Sequence, residues 1–373
     1  MIKRCTALPT ILALALATCV HATDYRLEVL ADGFDLPWSV AFLPGGDLLV
    51  TELSGTLHLV SQGKRIEEPI AGVPPVYFAG QGGLMDVVLH PDYAENRLVY
   101  LSLAAGDRRG NHTRIVRATL DLEGMRLSNV ETVFEASPQK DTAVHYGSRM
   151  AFLGDGSLVA TIGDGFNFRE EAQKLDNHFG TVVRITDTGQ APKDNPFRGQ
   201  AGALPEIYSY GHRNPQGVIY DAETGLIFQT EHGAQGGDEL NLIEPGINYG
   251  WPIATWGIDY SGARISPYRE YPGTAQPLHH WTPSIAPSGM TLYRGEAFPE
   301  WVGDIFVTSL VFRKVVRVDM EGSRVSGTED IFAEIDARIR DVRTGPDGLI
   351  YILSEPAGGE SGKVWRVLPA EAG

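Results

Sequence analysis

One histidine and one carboxylate stand where chemistry could be done. His145 opens the stretch His145-Tyr146-Gly147-Ser148-Arg149. Asp164 lies in Gly163-Asp164-Gly165, beyond two apolar segments separated by Gly154-Asp155-Gly156. Two apolar runs about such a turn read as an antiparallel hairpin, which brings its two ends together. An imidazole at the entrance and an acid at the exit would then share one end of a β-structure. The plainer alternative is that His145 caps a loop and Asp164 only makes a turn.

Other glycine-flanked polar clusters accompany them: Gly80-Gln81-Gly82-Gly83, Gly211-His212-Arg213-Asn214, Glu231-His232-Gly233-Ala234 with Gly237-Asp238-Glu239, and Arg338-Ile339-Arg340-Asp341. Arg213, Arg338 and Arg340 carry forked donors that match carboxylates. In an extended segment, a spacing of two puts Arg338 and Arg340 on one side. Glu239, Tyr249 and backbone carbonyls offer the oxygen ligands that a hard cation such as Ca²⁺ prefers. The chain has no EF-hand loop and no His/Cys set for zinc. Singly, each cluster has a plainer alternative, since arginines mostly form surface ion pairs and glycine-rich loops mostly turn.

The elements that would position these residues show as a repeat of a turn, an apolar strand and a small or polar residue. It occurs at Gly46–Glu52, Asn96–Ser102, Gly156–Thr161, Gly225–Glu231, Gly303–Ser309 and Gly348–Ser354. Six copies at irregular spacing, with abundant Gly and Pro and no long amphipathic helix, predict an all-β chain folded as a six-bladed β-propeller. Thr56–Val60, Val315–Val318 and Lys363–Val367 read as outer strands, and the two termini are expected to share the closing blade. In a propeller, loops from distant blades meet over the central channel, so the separated clusters can form one pocket. The stretch 253–287 is the longest without a strand pattern, and a loop of that length in a compact domain is usually functional.

Residues 1–22 read as a secretory signal, with Lys3 and Arg4, an apolar run from Ile11 to Val20, and Ala22 at the cleavage point. The run is too short to span a bilayer. Both cysteines, Cys5 and Cys19, fall inside it, so the mature chain would have neither disulfide nor thiol chemistry. Leu16-Ala17-Thr18-Cys19 resembles a lipoprotein box, with an atypical Thr before the Cys. The expected mature protein, residues 23–373, is one propeller domain in the periplasm. The formal charge of −16 becomes about −18 without Lys3 and Arg4. Such a surface disfavours nucleic acid and anionic membranes as partners.

Taken in order, these motifs resemble those of the soluble PQQ-dependent (pyrroloquinoline quinone) aldose sugar dehydrogenases, relatives of soluble glucose dehydrogenase. The resemblance runs through Leu36-Pro37-Trp38-Ser39, Gly80–Gly83, His145 with Gly147 and Arg149, Gly163–Gly165, Gly211–Gly217, Glu231–Gly233, Gly237–Glu239, Asn248–Pro252 and Arg338–Asp341. It implies PQQ at the propeller mouth, Ca²⁺, and an aldose oxidised at C1, with His145 taking the hydroxyl proton and Asp164 beside it. Gln81, Arg213, Asn214, Tyr260, Arg338, Ile339 and Arg340 match cofactor contacts. Gly233 and Ala234 match carbonyls that bind the cofactor's calcium, and Glu239 and Tyr249 match a calcium site. At Ser309-Leu310-Val311, Val311 replaces the family's cofactor-binding lysine, and Arg313 or Lys314 would have to reach round. The electron acceptor is not specified, and a monomer or small homo-oligomer is expected. Two other readings remain open at this point. One is a calcium-dependent propeller lactonase, which would use a carboxylate/Asn shell and no arginines. The other is a non-catalytic propeller that binds carbohydrate or protein.

Overall fold

All six copies of the repeat become the second strand of a four-stranded antiparallel sheet in the computed structural model, which describes residues 24–370. The signal-like segment 1–22 lies outside those residues. The second strands at Leu48–Glu52, Leu158–Ile162, Ile227–Glu231, Ile305–Ser309 and Ile350–Ser354 are buried along their whole length. Their side chains meet a neighbouring sheet on each face, so they read as continuous apolar runs rather than alternating ones.

The six sheets form the blades of a propeller. Apolar clusters join successive blades, for example Leu49 and Leu57 with Leu101 and Val116 between blades one and two. Phe228 and Leu240 pack against Ile305 and Val316 between blades four and five. Blade six closes the ring: its first three strands are Ile339–Thr344, Ile350–Ser354 and Gly362–Pro369, and its outermost strand is Tyr25–Phe34. Tyr25 pairs with Pro369 and Phe34 with Gly362, as the matching terminal strands predicted.

The stretch 253–287 is less irregular than its composition implied. It contains His279–Trp281, the outermost strand of blade four, which pairs with Asp238–Leu240. At the propeller centre, Arg149 is buried with its guanidinium 4.0 Å from the Trp38 ring centroid. It reaches Asp86 at 3.4 Å and Asp341 at 3.2 Å, and Arg343 bridges the same two carboxylates at 3.2 and 3.0 Å. This network ties together the inner strands of blades one, two, three and six. Removing one partner would strand buried charge, which makes it a strong determinant of how those blades sit.

Candidate active site

The predicted hairpin forms, with Met150 opposite Ala160 and Phe152 opposite Leu158. Its open end presents His145 and Asp164, with His145 Nδ1 2.7 Å from Asp164 Oδ1. The backbone around the pair admits little freedom. A Cβ at Gly163 would come 2.3 Å from the His145 carbonyl oxygen. His145 itself adopts φ 54°, held by its N–H donating to Gln81 Oε1 at 2.8 Å. Asn214 Oδ1 accepts from the Gly147 N–H at 3.2 Å, fixing the next turn. Gln81 and Asn214, which the family resemblance matches to cofactor contacts, build the loop that carries the histidine.

Asp164 accepts two further hydrogen bonds, from Trp251 Nε1 and the Phe166 N–H, both at 2.8 Å. An acceptor so engaged requires His145 Nδ1 to carry the proton, which leaves Nε2 as the basic nitrogen. Nε2 has no hydrogen-bond partner among the described residues, and 7% of the side chain remains exposed for a reactant to approach. Burial pushes the His145 pKa down, against the hydrogen bond and charge of Asp164, while Arg213 and Lys140 push the same way as burial. The imidazole is thus neutral at pH 7, and Asp164 orients it.

A cavity of about 570 Å³ opens next to this end of the hairpin. Gln81, Asn214, Leu310, Arg338 and Arg340 line it, together with Trp38, Met85 and Tyr146. Both arginines point the same way, as their spacing predicted, and the intervening Ile339 is buried in the core between blades five and six. The two guanidinium groups converge on a carboxylate absent from the sequence-based set. Arg338 Nε lies 2.8 Å from Glu355 Oε2, and Arg340 Nε 2.9 Å from Glu355 Oε1. Burial raises the Glu355 pKa, but Arg340 and Arg338 outweigh it and the net shift is downward, so Glu355 is ionised. One signal for it was available: acidic Glu52 and Glu231 end the first and fourth repeats, and Glu355 directly follows the sixth.

The remaining sequence candidates are distributed as follows. Ser309 is buried and its hydroxyl donates to the Ile285 carbonyl at 2.7 Å. Val311 is 52% exposed, and neither Arg313 nor Lys314 takes its place. Arg313 pairs with Asp336 at 3.2 Å and Lys314 with Asp330, and neither lines the cavity. Arg213 instead lines an adjoining chamber of about 360 Å³ with Asp164, Ala234, Trp251 and exposed Tyr260. Its Nη1 donates to the Gly233 carbonyl, and its guanidinium sits 5.3 Å from the Trp251 ring centroid.

Glu239, Glu231, Gly233 and Tyr249 surround a third cavity of about 10 Å³, room for a single small sphere. Burial and the neighbouring Glu231 raise the Glu239 pKa well above the usual carboxylate range. Asn241 Nδ2 donates to Glu239 Oε2 at 3.1 Å, while Asn241 Oδ1 is buried without a partner. Among the described residues, no three His, Cys, Asp or Glu side chains converge as a metal cage. Two carboxylates facing a one-sphere void, with the Gly233 backbone beside them, nevertheless fit a hard cation held largely by uncharged oxygens.

Comparison with known proteins bears on this arrangement. Residues 34–366 match the glucose/sorbosone dehydrogenase family. The chain belongs to that family. It is 40% identical over 358 residues to the aldose sugar dehydrogenase YliI of Escherichia coli, covering 95% of this chain and 96% of that protein. The crystal structure of the soluble aldose sugar dehydrogenase from Escherichia coli in its apo form superposes with a TM-score of 0.89 at 40% identity, covering 93% of this chain and all of that one. The PQQ-bound aldose sugar dehydrogenase of Streptomyces coelicolor superposes with a TM-score of 0.77 at 28% identity, covering 93% and 99% of the two chains. The six-bladed all-β fold and membership of an oxidoreductase family follow directly.

Proposed function

We propose that this dehydrogenase oxidises aldose sugars at C1 to the lactone, using PQQ and calcium, with His145 as the general base. The observation that carries the reading is the His145–Asp164 pair, with Nε2 uncommitted, beside a cavity whose wall holds two arginines. Gln81, Asn214, Arg338, Arg340 and the backbone at Leu310 would hold the cofactor, and Arg213 would close the side toward Tyr260. Glu239, with Gly233 and Tyr249, would hold a calcium ion, and Ala234 faces the chamber shared with Arg213. When bound, PQQ supplies an electrophilic quinone carbon that accepts hydride. The protein's own part is to take the C1 hydroxyl proton on His145 Nε2. Asp164 stabilises the resulting imidazolium through Nδ1–H, and Trp251 and the Phe166 amide keep Asp164 aimed.

The lactonase alternative has no use for Arg338 and Arg340 on the cavity wall, and family membership favours the dehydrogenase. The decisive test is dye-linked oxidation of aldoses by purified apo-protein, with and without PQQ and Ca²⁺. Activity is expected only when PQQ is added. Sugar oxidation independent of PQQ, or lactone hydrolysis with no oxidation, would overturn the proposal. Periplasmic location, by way of the segment 1–22, completes the reading, and N-terminal sequencing of exported protein is expected to begin near Thr23.

A further inference from the structure

Beside the His145–Asp164 pair, lining one small void with His145, lies a lysine that the reaction scheme leaves unused. Lys140 is 5% exposed. Its Nζ donates to Asn111 Oδ1 at 3.1 Å and to the Thr142 carbonyl at 2.6 Å, and sits 3.5 Å from the centroid of the Tyr146 ring. No carboxylate lies within ion-pairing distance of it among the described residues. A buried ammonium without a salt-bridge partner is costly and rarely kept without a purpose.

The surroundings fix this side chain firmly. The backbones of Asn111 and Lys140 exchange hydrogen bonds in both directions, at 2.8 and 2.9 Å. Asn111 Oδ1 is shared with the Tyr146 hydroxyl, which donates at 2.6 Å. The lysine stem passes so close to Gly165 that a Cβ there would come 2.7 Å from Lys140 Cδ. Thr142, whose carbonyl accepts from Nζ, donates its own hydroxyl to the Gly165 carbonyl at 2.6 Å. The ammonium is therefore locked to the turn that carries Asp164 and to Tyr146, the residue after His145.

We propose that Lys140 is a positioning residue for the proton acceptor: its ammonium, held against the Asp164 turn and in one void with His145, opposes protonation of the imidazole. The charged groups felt at His145 are Asp164, which favours the imidazolium, and Arg213 and Lys140, which oppose it. Those felt at Lys140 are Asp164 and Asp141. His112 and His178 line the same small void as Lys140 and His145. His112 Nε2 lies 3.3 Å from Glu135, and His178 Nδ1 accepts from the Ser137 N–H at 3.0 Å, so both imidazoles are already committed on one nitrogen. Burial brings the Lys140 pKa down to about 7, against the pull of Asp164 and Asp141. Its influence on His145 is accordingly strongest on the acid side of neutrality, where His145 titrates.

This inference rests on His145 being the base, but its test does not. The ring proton of His145 would be titrated by NMR in apo-protein, assigned by its loss in His145→Gln. In Lys140→Gln the His145 pKa is expected to rise by about half a unit or more, and Lys140→Arg is expected to restore it. Asn111→Asp, which sets a carboxylate against Nζ and cancels its charge, is expected to raise it likewise, and serves if Lys140→Gln does not fold. In PQQ-loaded enzyme the acid limb of kcat/KM is expected to move up with it. An unchanged His145 titration in a folded Lys140→Gln or Asn111→Asp variant would overturn the role of Lys140 and leave the dehydrogenase reading intact. Loss of PQQ-dependent oxidation in wild type would do the reverse.

Discussion

The wall of the large cavity makes a quantitative prediction about its two arginines. PQQ carries three carboxylates, and the chain's formal charge is −16, so long-range fields oppose its approach. Affinity must come from close cations, since exposed charges beyond roughly 8–10 Å are screened at physiological salt. Arg340 has 12% of its side chain exposed and Arg338 47%. A sheltered charge-assisted contact is worth about 1.5–3 kcal/mol, and a solvent-screened one about 0–1 kcal/mol. At about 1.4 kcal/mol per decade, Arg340→Ala should weaken PQQ binding roughly 10- to 100-fold, and Arg338→Ala less than about fivefold. Glu355 holds both guanidinium groups and competes with an incoming carboxylate, so Glu355→Gln should bind PQQ more tightly, by up to about tenfold. The assay is titration of PQQ into apo-protein, followed by tryptophan fluorescence, for which Trp38 in the cavity wall is a built-in reporter. Turnover at saturating PQQ should change much less than affinity in each arginine variant. Unchanged affinity in both arginine variants, or a larger loss in Arg338→Ala, would refute the reasoning. Val311→Lys, at a position where neither Arg313 nor Lys314 supplies a charge, should tighten binding in the same titration.

Three further outcomes follow from the geometry. His145→Gln should fold and bind PQQ yet lose about 10²–10⁴ in sugar oxidation rate; a wild-type rate would mean another group takes the proton. Chelation should lower the melting temperature of wild type, because an ion bound only by the native state stabilises it by mass action, and should do so less in Glu239→Gln; equal shifts would remove calcium from this site. Burial raises the Glu52 pKa, but the hydrogen bonds from His58 and the Asp35 amide prevail and lower it overall. A depressed carboxylate stabilises the fold above its unfolded value and loses that contribution as pH falls from that value through the lower folded one. Acid unfolding of Glu52→Gln should therefore be less steep there, and identical acid profiles would show that Glu52 contributes nothing.

The parts of this structure legible in the sequence were those with local causes. Second strands such as Ile305–Ser309 announce themselves because both faces are covered, which leaves an unbroken apolar run behind a glycine turn. The meeting of His145 with Asp164 was legible because a hairpin has only one way to return. His279–Trp281 was hidden because a three-residue outer strand amid prolines has no period to detect. Glu355 was missed because its meaning is tertiary, arising only when Arg338 and Arg340 turn onto it from the neighbouring strand. Lys314 could not stand in for the missing lysine at Val311 because it begins the next strand and faces Asp330 across it. Lys140 resembled any loop lysine until Asn111, brought in from blade two, enclosed it.

The closing blade has a consequence for how the protein comes into being. Tyr25–Phe34 is made before every other blade strand, and Gly362–Pro369, the strand it pairs with, after all of them. A chain emerging amino end first must carry an unpaired edge strand until the sixth blade has appeared, with no local shortcut to closure. Completion of the ring is thus a proofreading event: a chain truncated anywhere before blade six keeps its leading strand open to aggregation or proteolysis, and only a chain that includes blade six can conceal it.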